Sequence, residues 1–515
     1  METFVQRHAE DVIGVLHGFD RLLFRGTLRS ISYSQGLDRF LGAAGVKYKD
    51  FGAFAESLSE RLKNHAQALA KTAGRPFQYL YSSSQSKEEV ARMIAQRDGI
   101  EEGLVCVLRC VEPCMSFSIR RDERGQFRFL SQERKCLHLY FYYLDREFGL
   151  MHVRLATWLP FGIQVCVNGR EYLGRRMKAA GIGFEQRGNC FTRIDNLRRA
   201  QRMMEELENR KWDRLLGVLA RRINPLPREL KLHGYYWSIR ESEYATDVMF
   251  KDAAALRRVY PALLDHAIKR FSCRDVLRFL GRRTNRLFNG EVIANVRERE
   301  EGVRIKHWVE ENSIKMYDKE GSVLRVETTI NNVRRFKVRR MTVWKGVRRM
   351  RWIPMRFGLA DLDRRVEVSR AANERYLEAL GVVNVPAPAS ALLDAVSRRV
   401  VKEERPYRAL RPVSREEARV FKAVLSGEFL LQGFTNRELR QCLWASQTCR
   451  APGPLEEREL RRQSGRTTRL LRLLRAHGLI HKVSGTRYYR VTGDGRQTMT
   501  AALILRDADV TKLAA

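Results

Sequence analysis

Cysteines, acidic residues and long apolar runs are all scarce in this sequence. The nine cysteines among 515 residues are scattered and odd in number, which indicates reduced thiols and a cytoplasmic protein rather than a disulfide-bonded one. No apolar run approaches the length that crosses a bilayer, and charges interrupt the apolar stretch near the N-terminus. We therefore expect neither a membrane partner nor a secretory signal.

The shortage of acidic residues indicates the class of partner. Sixty Asp and Glu residues face 96 Lys and Arg residues, which leaves a net charge of +36. A field of this sign concentrates polyanions and is typical of proteins that bind phosphate backbones. An Arg-rich surface that only keeps the protein soluble is the alternative, but an excess of this size favours a nucleic-acid partner and a location on the bacterial nucleoid.

Length and patterning predict a multidomain protein of mixed α+β and α/β class. We expect a mixed-sheet domain over residues 1–196, a helical middle with a β-rich basic segment over 197–372, a linker with a short helix over 373–412, and a winged helix over 413–515. From residue 133 the first domain has the strand–strand–strand–helix–strand order of an RNase H-like fold, with its last strand at 182–195. Asp145 and Asp195 lie near strand ends, and Asp20 and Asp145 could belong to an RNase H-like site, for which the sequence offers no convincing third acid.

The C-terminal hundred residues predict the order helix–helix–helix–hairpin, with Ser414 and Thr435 as N-caps of the first two helices. At 3.6 residues per turn, the third helix has an arginine face opposite a leucine face, and Leu473 alone falls on the arginine side. An arginine face is suited to a DNA groove, and a solvated helix of a protein-binding winged helix is the alternative. The candidate contacts are Arg462, Arg466, Arg469 and, at the hairpin tip, Arg487.

A hairpin near residue 320 carries two acids beside a run of cations. A two-residue turn at Glu320-Gly321 would place Asp318, Arg325 and Glu327 on one face. Tyr317 would then lie on the opposite face. Asp318 and Glu327 would be about four residues, roughly 13 Å, apart along the ladder, so a shared metal needs a ligand from another segment.

Glu243 and Asp247 in "ESEYATD" are four residues apart and therefore share one face of a helix or a strand. Carboxylates in this number can hold Mg²⁺ or Mn²⁺ for phosphodiester cleavage, and acids that only neutralise nearby arginines are the alternative. The predicted metal ligands are Glu243, Asp247, Asp318 and Glu327. The candidate catalytic residues are Glu327, Asp318, Tyr317 as a nucleophile and His307 as a base or ligand.

The basic stretch after the hairpin has no acid from Thr328 to Ala360 and interleaves aromatic residues with cations. Cations hold phosphates and aromatic rings stack on unpaired bases, whereas the alternative is a sheet with a packed aromatic face and a basic face. The candidate contacts are Arg334, Arg335, Lys337, Arg339, Arg340, Arg348, Arg349, Arg351, Trp344 and Trp352.

A zinc site is not expected from the cysteines. Cys106, Cys110 and Cys114 are evenly spaced around a proline, with Cys136 and His138 further along the chain. Zinc ligands usually come in pairs two to four residues apart, whereas this spacing fits one buried face of a strand.

Residues 235–330, with "ESEYATD", "YDK" and "LRVE", resemble rolling-circle replication initiators of plasmids and filamentous phage. By that resemblance Asp318, Lys319, Arg325, Glu327, Glu243 and Asp247 match motif positions. The class uses an acid-bound metal and a tyrosine that joins covalently to DNA. This chain departs from it in lacking a clear His-hydrophobe-His pair.

Two further resemblances concern other parts of the chain. "LLRAHGLIHKVSGTRYYRVT", within residues 413–515, resembles winged-helix regulators of the multiple-antibiotic-resistance class. "GFDRLLFRGTLR", "EYATD" and "SIKMYDKEGSVLRVETT" together resemble an uncharacterised, multi-copy bacterial family of mobile-element type.

The function expected from these features is that of a mobile-element protein that nicks, cleaves or transfers DNA strands with a metal and is targeted by a winged helix. Two alternatives stay open: a non-enzymatic DNA-binding regulator, and a protein that carries a structured RNA. No P-loop is present, so an NTPase is not expected. The sequence is compatible with a homodimer.

Overall fold

A computed structural model describes residues 1–82, 84–121, 123, 125–282, 290–299, 302–344, 346–381, 383, 389–402, 404–426, 429, 433–444, 457–483 and 486–508. Within these ranges the chain forms nineteen β-strands and sixteen α-helices, so the fold is of mixed α/β type. None of the helices described there has the length and apolarity needed to cross a lipid bilayer.

The strands are β1 Val12–Thr27, β2 Phe77–Tyr79, β3 Gly103–Arg121, β4 Phe127–Asp145, β5 Gly149–Ala156, β6 Ile163–Asn168, β7 Phe184–Arg187, β8 Cys190–Ile194, β9 Tyr236–Phe250, β10 Val292–Arg299, β11 Gly302–Val309, β12 Asn312–Lys319, β13 Val323–Ile330, β14 Lys337–Trp344, β15 Val347–Pro354, β16 Val400–Lys402, β17 Arg405–Tyr407, β18 Ile480–Lys482 and β19 Tyr489–Val491.

The helices are α1 Glu2–Arg7, α2 Ser34–Ala43, α3 Phe51–Thr72, α4 Lys87–Arg97, α5 Gly169–Ala179, α6 Leu197–Glu208, α7 Trp212–Ile223, α8 Leu226–Glu229, α9 Ala253–Arg270, α10 Cys273–Phe279, α11 Leu362–Leu380, α12 Ala389–Val396, α13 Arg415–Val424, α14 Asn436–Trp444, α15 Glu457–Ala476 and α16 Gly493–Asp507.

One eleven-stranded sheet dominates the fold, with the strand order β10-β11-β12-β13-β9-β1-β6-β5-β4-β3-β2. All neighbouring strands are antiparallel except β2 and β3, which are parallel. Strand β1 pairs with β6 on one side and with β9 on the other. The sheet therefore joins strands from both sides of the predicted boundary between residues 196 and 197.

Apart from the additional edge strand β2, the sheet consists of two halves with the same connectivity. In the first half-sheet, β1 is followed by helices α2 to α4 and by a meander, β3 to β6, whose last strand returns to pair with β1. In the second half-sheet, β9 is followed by helices α9 and α10 and by a meander, β10 to β13, whose last strand returns to pair with β9. The antiparallel pairing of β1 with β9 joins the halves.

Helix α11 fixes one face of the second half-sheet. The side-chain amide of Asn373 donates to the carbonyl of Tyr244 at 3.0 Å and lies 2.6 Å from the hydroxyl of Thr328. The buried guanidinium of Arg365 donates to the carbonyls of Ile239 and Ile330. Because side chains alternate along a strand, the residues between these contacts on β9 and β13 point to the opposite face.

The predicted fourth strand of the RNase H-like order is a hairpin instead. Residues 184–187 and 190–194 pair with each other as β7 and β8, in a two-stranded sheet of their own. The reversal occurs at Gly188, whose φ of +54° favours glycine. The three preceding strands and the helix α5 occur in the predicted order.

The four elements predicted for the C-terminal region are present. Helices α13, α14 and α15 follow one another along the chain, and the antiparallel pair of β18 and β19 comes after α15. The hydroxyl of Ser414 accepts the amide of Glu417, and that of Thr435 accepts the amide of Glu438, as expected of N-caps. These elements share an apolar core that includes Leu473.

Candidate functional site

A polar cavity of about 530 Å³ lies beside the junction of the two half-sheets. Its walls come from β1, β9, β11, β12 and β13, from the starts of α4 and α5, and from the β7–β8 turn. The ionisable lining residues are Asp20, Arg21, Glu88, Arg92, Glu171, Glu243, Arg304, Lys315, Tyr317, Lys319, Glu320 and Glu327.

The β12–β13 hairpin sets which side chains enter this cavity, and the predicted register is wrong by one residue. Three residues, not two, separate the paired Lys319 and Val323, and Glu320 and Gly321 have φ values of +52° and +71°. Tyr317 therefore pairs with Arg325, and Lys315 with Glu327. A shift of one residue moves a side chain to the other face of a sheet.

Asp318 consequently lies on the face opposite Glu327, contrary to the prediction. Its carboxylate accepts the backbone amide of Val303 at 2.6 Å, and a Cβ at Gly302 would clash with it. Burial raises the pKa of Asp318. This contact to the neighbouring strand gives Asp318 a structural role.

Tyr317, Glu327 and Lys315 form a contiguous group at the cavity wall. The hydroxyl of Tyr317 donates to Glu327 at 2.8 Å, and the ammonium of Lys315 lies 2.5 Å from the other oxygen of that carboxylate. Burial and the negative charge of Glu327 raise the pKa of Tyr317 well above 10. Burial alone would raise the pKa of Glu327, but the charges of Lys315 and Arg325 outweigh it and lower that pKa.

Glu243 faces the same group from β9. Its carboxylate lies 3.4 Å from Lys315 and 3.5 Å from Arg21. Burial, followed by the charge of Glu327, raises the pKa of Glu243 to about 7. Two carboxylates that share one lysine therefore have pKa values displaced in opposite directions, an arrangement typical of acid and base pairs.

Asp247 shares a face with Glu243, as predicted, but it lies in a buried ionic cluster. Both of its oxygens accept from Arg325, at 2.6 and 2.9 Å, and Arg170 lies 3.0 Å away. Asp20 belongs to the same cluster, 3.6 Å from Arg325. It occupies a β-bulge, since the register of β1 with β9 shifts between residues 19 and 21, and bulges often re-aim side chains beside sites.

The turn between β7 and β8 covers this cluster. The side-chain amide of Asn189 donates to Asp20 at 2.6 Å, and the backbone carbonyl of Asn189 accepts from Arg325 at 2.7 Å. Burial raises the pKa of Asp20. Asn189 and Arg170 were not singled out in the sequence, because their chemistry depends on contacts between residues more than 70 positions apart.

The four predicted metal ligands do not fit a divalent cation. Asp318 lies on the other face, Asp247 is bound by two arginines, and the ammonium of Lys315 lies between the remaining two carboxylates. Within the described ranges, no three of these carboxylates bring their oxygens within 4.8 Å of one another. The alternative raised from the sequence, that these acids neutralise nearby cations, describes Asp247 in particular.

His307, predicted as a base or ligand, lies on the other face of the sheet. Its Nε2 is 3.2 Å from the hydroxyl of Tyr376, and its ring packs near Phe271. Burial lowers its pKa to about 4. His307 is a packed core residue, so the structure contradicts its predicted catalytic position.

The predicted basic contacts lie on and before the β14–β15 hairpin. Seven of them are exposed: Arg334, Arg335, Lys337, Arg339, Arg348, Arg349 and Arg351. Trp352 is 58% exposed, the side chain of Trp344 lies outside the described residues, and Arg335 is 3.2 Å from Glu310. Arg340 differs from the others because it is half-buried and forms an ion pair with Asp361.

The arginine face predicted for the third C-terminal helix is present on α15. Arg462, Arg466 and Arg469 are exposed, as is Arg487 between β18 and β19. Leu473, the exception in the sequence pattern, is buried. Asp145 caps its own turn by accepting the amides of Glu147 and Phe148, and Asp195 is exposed, so neither joins the cavity.

Comparison with known proteins assigns no family to the chain. The resemblances to replication initiators and winged-helix regulators, and the wider resemblance to a mobile-element family, therefore stay expectations. No protein-family model, no curated protein and no solved structure matches the sequence or the fold.

Proposed function

We propose that this protein binds nucleic acid and breaks or rejoins one strand through Tyr317. The observation that carries the proposal is the hydroxyl of Tyr317, which donates to Glu327 at the wall of a cavity that five basic and six acidic side chains line. Basic side chains attract the phosphate, and a hydroxyl paired with a carboxylate has the nucleophile–base arrangement of covalent catalysis. The net charge of +36 fits a polyanionic substrate.

In the proposed reaction, the phenolic oxygen of Tyr317 attacks the phosphorus atom and the bond from phosphorus to one sugar oxygen breaks. The phenolic proton passes to Glu327. Glu243 protonates the leaving sugar oxygen, since a pKa of about 7 leaves it partly protonated at neutral pH. One phosphodiester replaces another, so the reverse attack by a sugar hydroxyl rejoins the strand without a further reactant.

Lys315 couples substrate binding to this proton transfer. Without substrate, its ammonium neutralises Glu327 and keeps that carboxylate a weak base. A bound phosphate competes for the same ammonium. As Lys315 moves toward the phosphate, Glu327 loses its strongest counter-charge and becomes a better acceptor for the proton of Tyr317.

Two exposed basic surfaces support strand binding outside the cavity. The first is the β14–β15 hairpin, where Arg348, Arg349 and Trp352 are exposed. The second is the arginine face of α15, with Arg466 and Arg469. Exposed arginines beside an exposed aromatic ring suit a phosphate backbone and stacked bases.

The test uses the full chain with labelled single-stranded and duplex oligonucleotides taken from DNA that flanks its own gene. We expect strand cleavage and a covalent protein–DNA adduct that resists denaturing electrophoresis. Tyr317→Phe should abolish both and leave binding intact. Glu327→Gln should slow cleavage by about 10²- to 10⁴-fold, the usual contribution of a general base.

Tyr260→Phe is the matched control, because Tyr260 is also buried and donates one hydrogen bond, to the carbonyl of Val303, on the other face of the sheet. Cleavage that persists in Tyr317→Phe without an adduct would identify water as the attacking group. Binding with no cleavage of any substrate would favour the regulator or, with RNA bound more tightly than DNA, the RNA carrier. A parallel series with EDTA measures any dependence on Mg²⁺ or Mn²⁺.

A further inference from the structure

A second cluster of reactive side chains lies in the first half-sheet, away from the cavity. Cys114 on β3 and Cys136 and His138 on β4 bring two sulfur atoms and a ring nitrogen within 4.8 Å of one another. β3 and β4 pair so that Cys136 is opposite Glu112 and His138 is opposite Cys110. Cys114 is thus the diagonal neighbour of Cys136, a contact that spacing along the chain does not reveal.

The surroundings of the three side chains suit metal ligands. Nδ1 of His138 is 3.1 Å from the carbonyl of Cys136, so this nitrogen can donate a proton and leave the lone pair of Nε2 free. A backbone carbonyl that orients a histidine ring is a common support of metal sites.

The neighbouring acid is already engaged. Glu112 accepts from Tyr140 at 2.6 Å and from Arg154 at 3.0 Å, and it lies 2.9 Å from Lys87. It is therefore not a fourth ligand. Cys114 is half-buried while the other two side chains are buried, so the group is reached from the side of Cys114.

We propose that Cys114, Cys136 and His138 bind one zinc ion, with a water molecule as the fourth ligand. Two thiolates and one imidazole form a ligand set that selects zinc among the common divalent ions, and three protein ligands leave one open position. Two thiolates also neutralise the charge of the ion. The proposal replaces the expectation, drawn from the even cysteine spacing, that zinc is absent.

The position of the cluster indicates what the ion would stabilise. The pairing of β3 with β2 ends at Arg109, and beyond it β4 is the only neighbour of β3 among the described strands. Pro113, which lacks an amide hydrogen, lies in this edge portion. A zinc ion would join β3 to β4 where the sheet narrows to two strands.

The test is the metal content of the full chain purified without chelators from zinc-supplemented cells, measured by inductively coupled plasma mass spectrometry. We expect one zinc per chain in the wild type and in Cys273→Ser, whose exposed thiol lies on α10. Cys136→Ser and His138→Gln should each lower zinc content at least tenfold. Cys114→Ser, at the half-buried ligand, provides a variant that is less disruptive to packing.

Cobalt gives a second readout that does not depend on recovery of zinc. Protein reloaded with Co²⁺ should show sulfur-to-cobalt charge-transfer absorption in the near ultraviolet, and the Cys114→Ser protein should show weaker absorption. Zinc content far below one per chain in the folded wild type would overturn the proposal. So would equal zinc content in the wild type and all three ligand variants, or an intact Cys114–Cys136 disulfide in protein prepared under reducing conditions.

Discussion

The two half-sheets share one connectivity but differ in the residues that their returning central strands bury. In the first, the strand that returns to the centre, β6, alternates buried apolar residues with half-buried polar ones. In the second, the corresponding strand, β13, is buried along its whole length and still contains Arg325 and Glu327. The two strands occupy corresponding positions in their half-sheets, but only β13 places buried ionisable side chains there. Shared connectivity therefore does not by itself produce a functional site.

The buried Asp247, Arg325 and Glu327 of the second half-sheet are tolerated because each has a partner of opposite sign. An unpaired ion in a protein interior costs several kcal/mol, and a well-packed apolar pair is often as stable as an ion pair. The ionic cluster around Arg325 is therefore weak evidence for stability and better evidence for a site. Three predictions test this contrast, from the largest effect to the smallest.

Arg325→Met should destabilise the protein by about 3–5 kcal/mol, because it leaves Asp247 and Asp20 buried without their main partner. The free energy of unfolding in urea measures the effect. Gln164→Met on β6 is the control in the first half-sheet, where a half-buried polar residue should change stability by no more than about 0.5 kcal/mol. Equal losses in both variants would remove the contrast between the half-sheets.

Glu243→Gln should change how stability depends on pH. The folded state raises the pKa of Glu243 from 4.5 to about 7, so the folded protein binds this proton more tightly than the unfolded chain. Wild-type stability should therefore fall as pH rises from 4.5 to 7, by about 3 kcal/mol more than the stability of the variant falls. Urea unfolding at several pH values measures it.

The control for this pH dependence is Glu241→Gln, which removes a carboxylate of the same strand that does not line the cavity. Parallel stability curves for the wild type and Glu243→Gln across the window from 4.5 to 7 would contradict the assignment of Glu243 as the displaced acid.

Arg348→Ala with Arg349→Ala should weaken nucleic-acid binding modestly and almost equally for all sequences. Two lost phosphate contacts should lower the slope of log affinity against log salt by about 2. The matched control is Arg120→Ala with Arg121→Ala, two exposed arginines at the tip of the β3–β4 hairpin in the first half-sheet. An unchanged slope for the first pair, or an equal loss for both pairs, would show that the β14–β15 hairpin is not the contact surface.

Local patterns predicted much of the secondary structure. The N-caps expected at Ser414 and Thr435 accept the amides of Glu417 and Glu438, and the three strands and the helix expected after residue 133 occur in that order. Glu243 and Asp247 share a face, as their spacing of four residues predicted. These features depend on neighbours within a few residues, so the sequence contains the information for them.

The site itself required contacts that the local sequence does not specify. One additional loop residue reversed the faces of Asp318 and Tyr317, because a strand repeats every two residues. Asp20 reaches the ionic cluster through a bulge. Lys315 lies between two carboxylates only because β9, β12 and β13 are adjacent, although β9 is far from the others in sequence.

The turn at Asn189 fastens the β7–β8 hairpin to the ionic cluster at two points. Its side-chain amide donates to Asp20 and its backbone carbonyl accepts from Arg325, so moving the hairpin away would break both hydrogen bonds together. Any displacement of this turn would leave a buried carboxyl group and a buried guanidinium each short of a partner, and that cost holds this wall of the cavity in place.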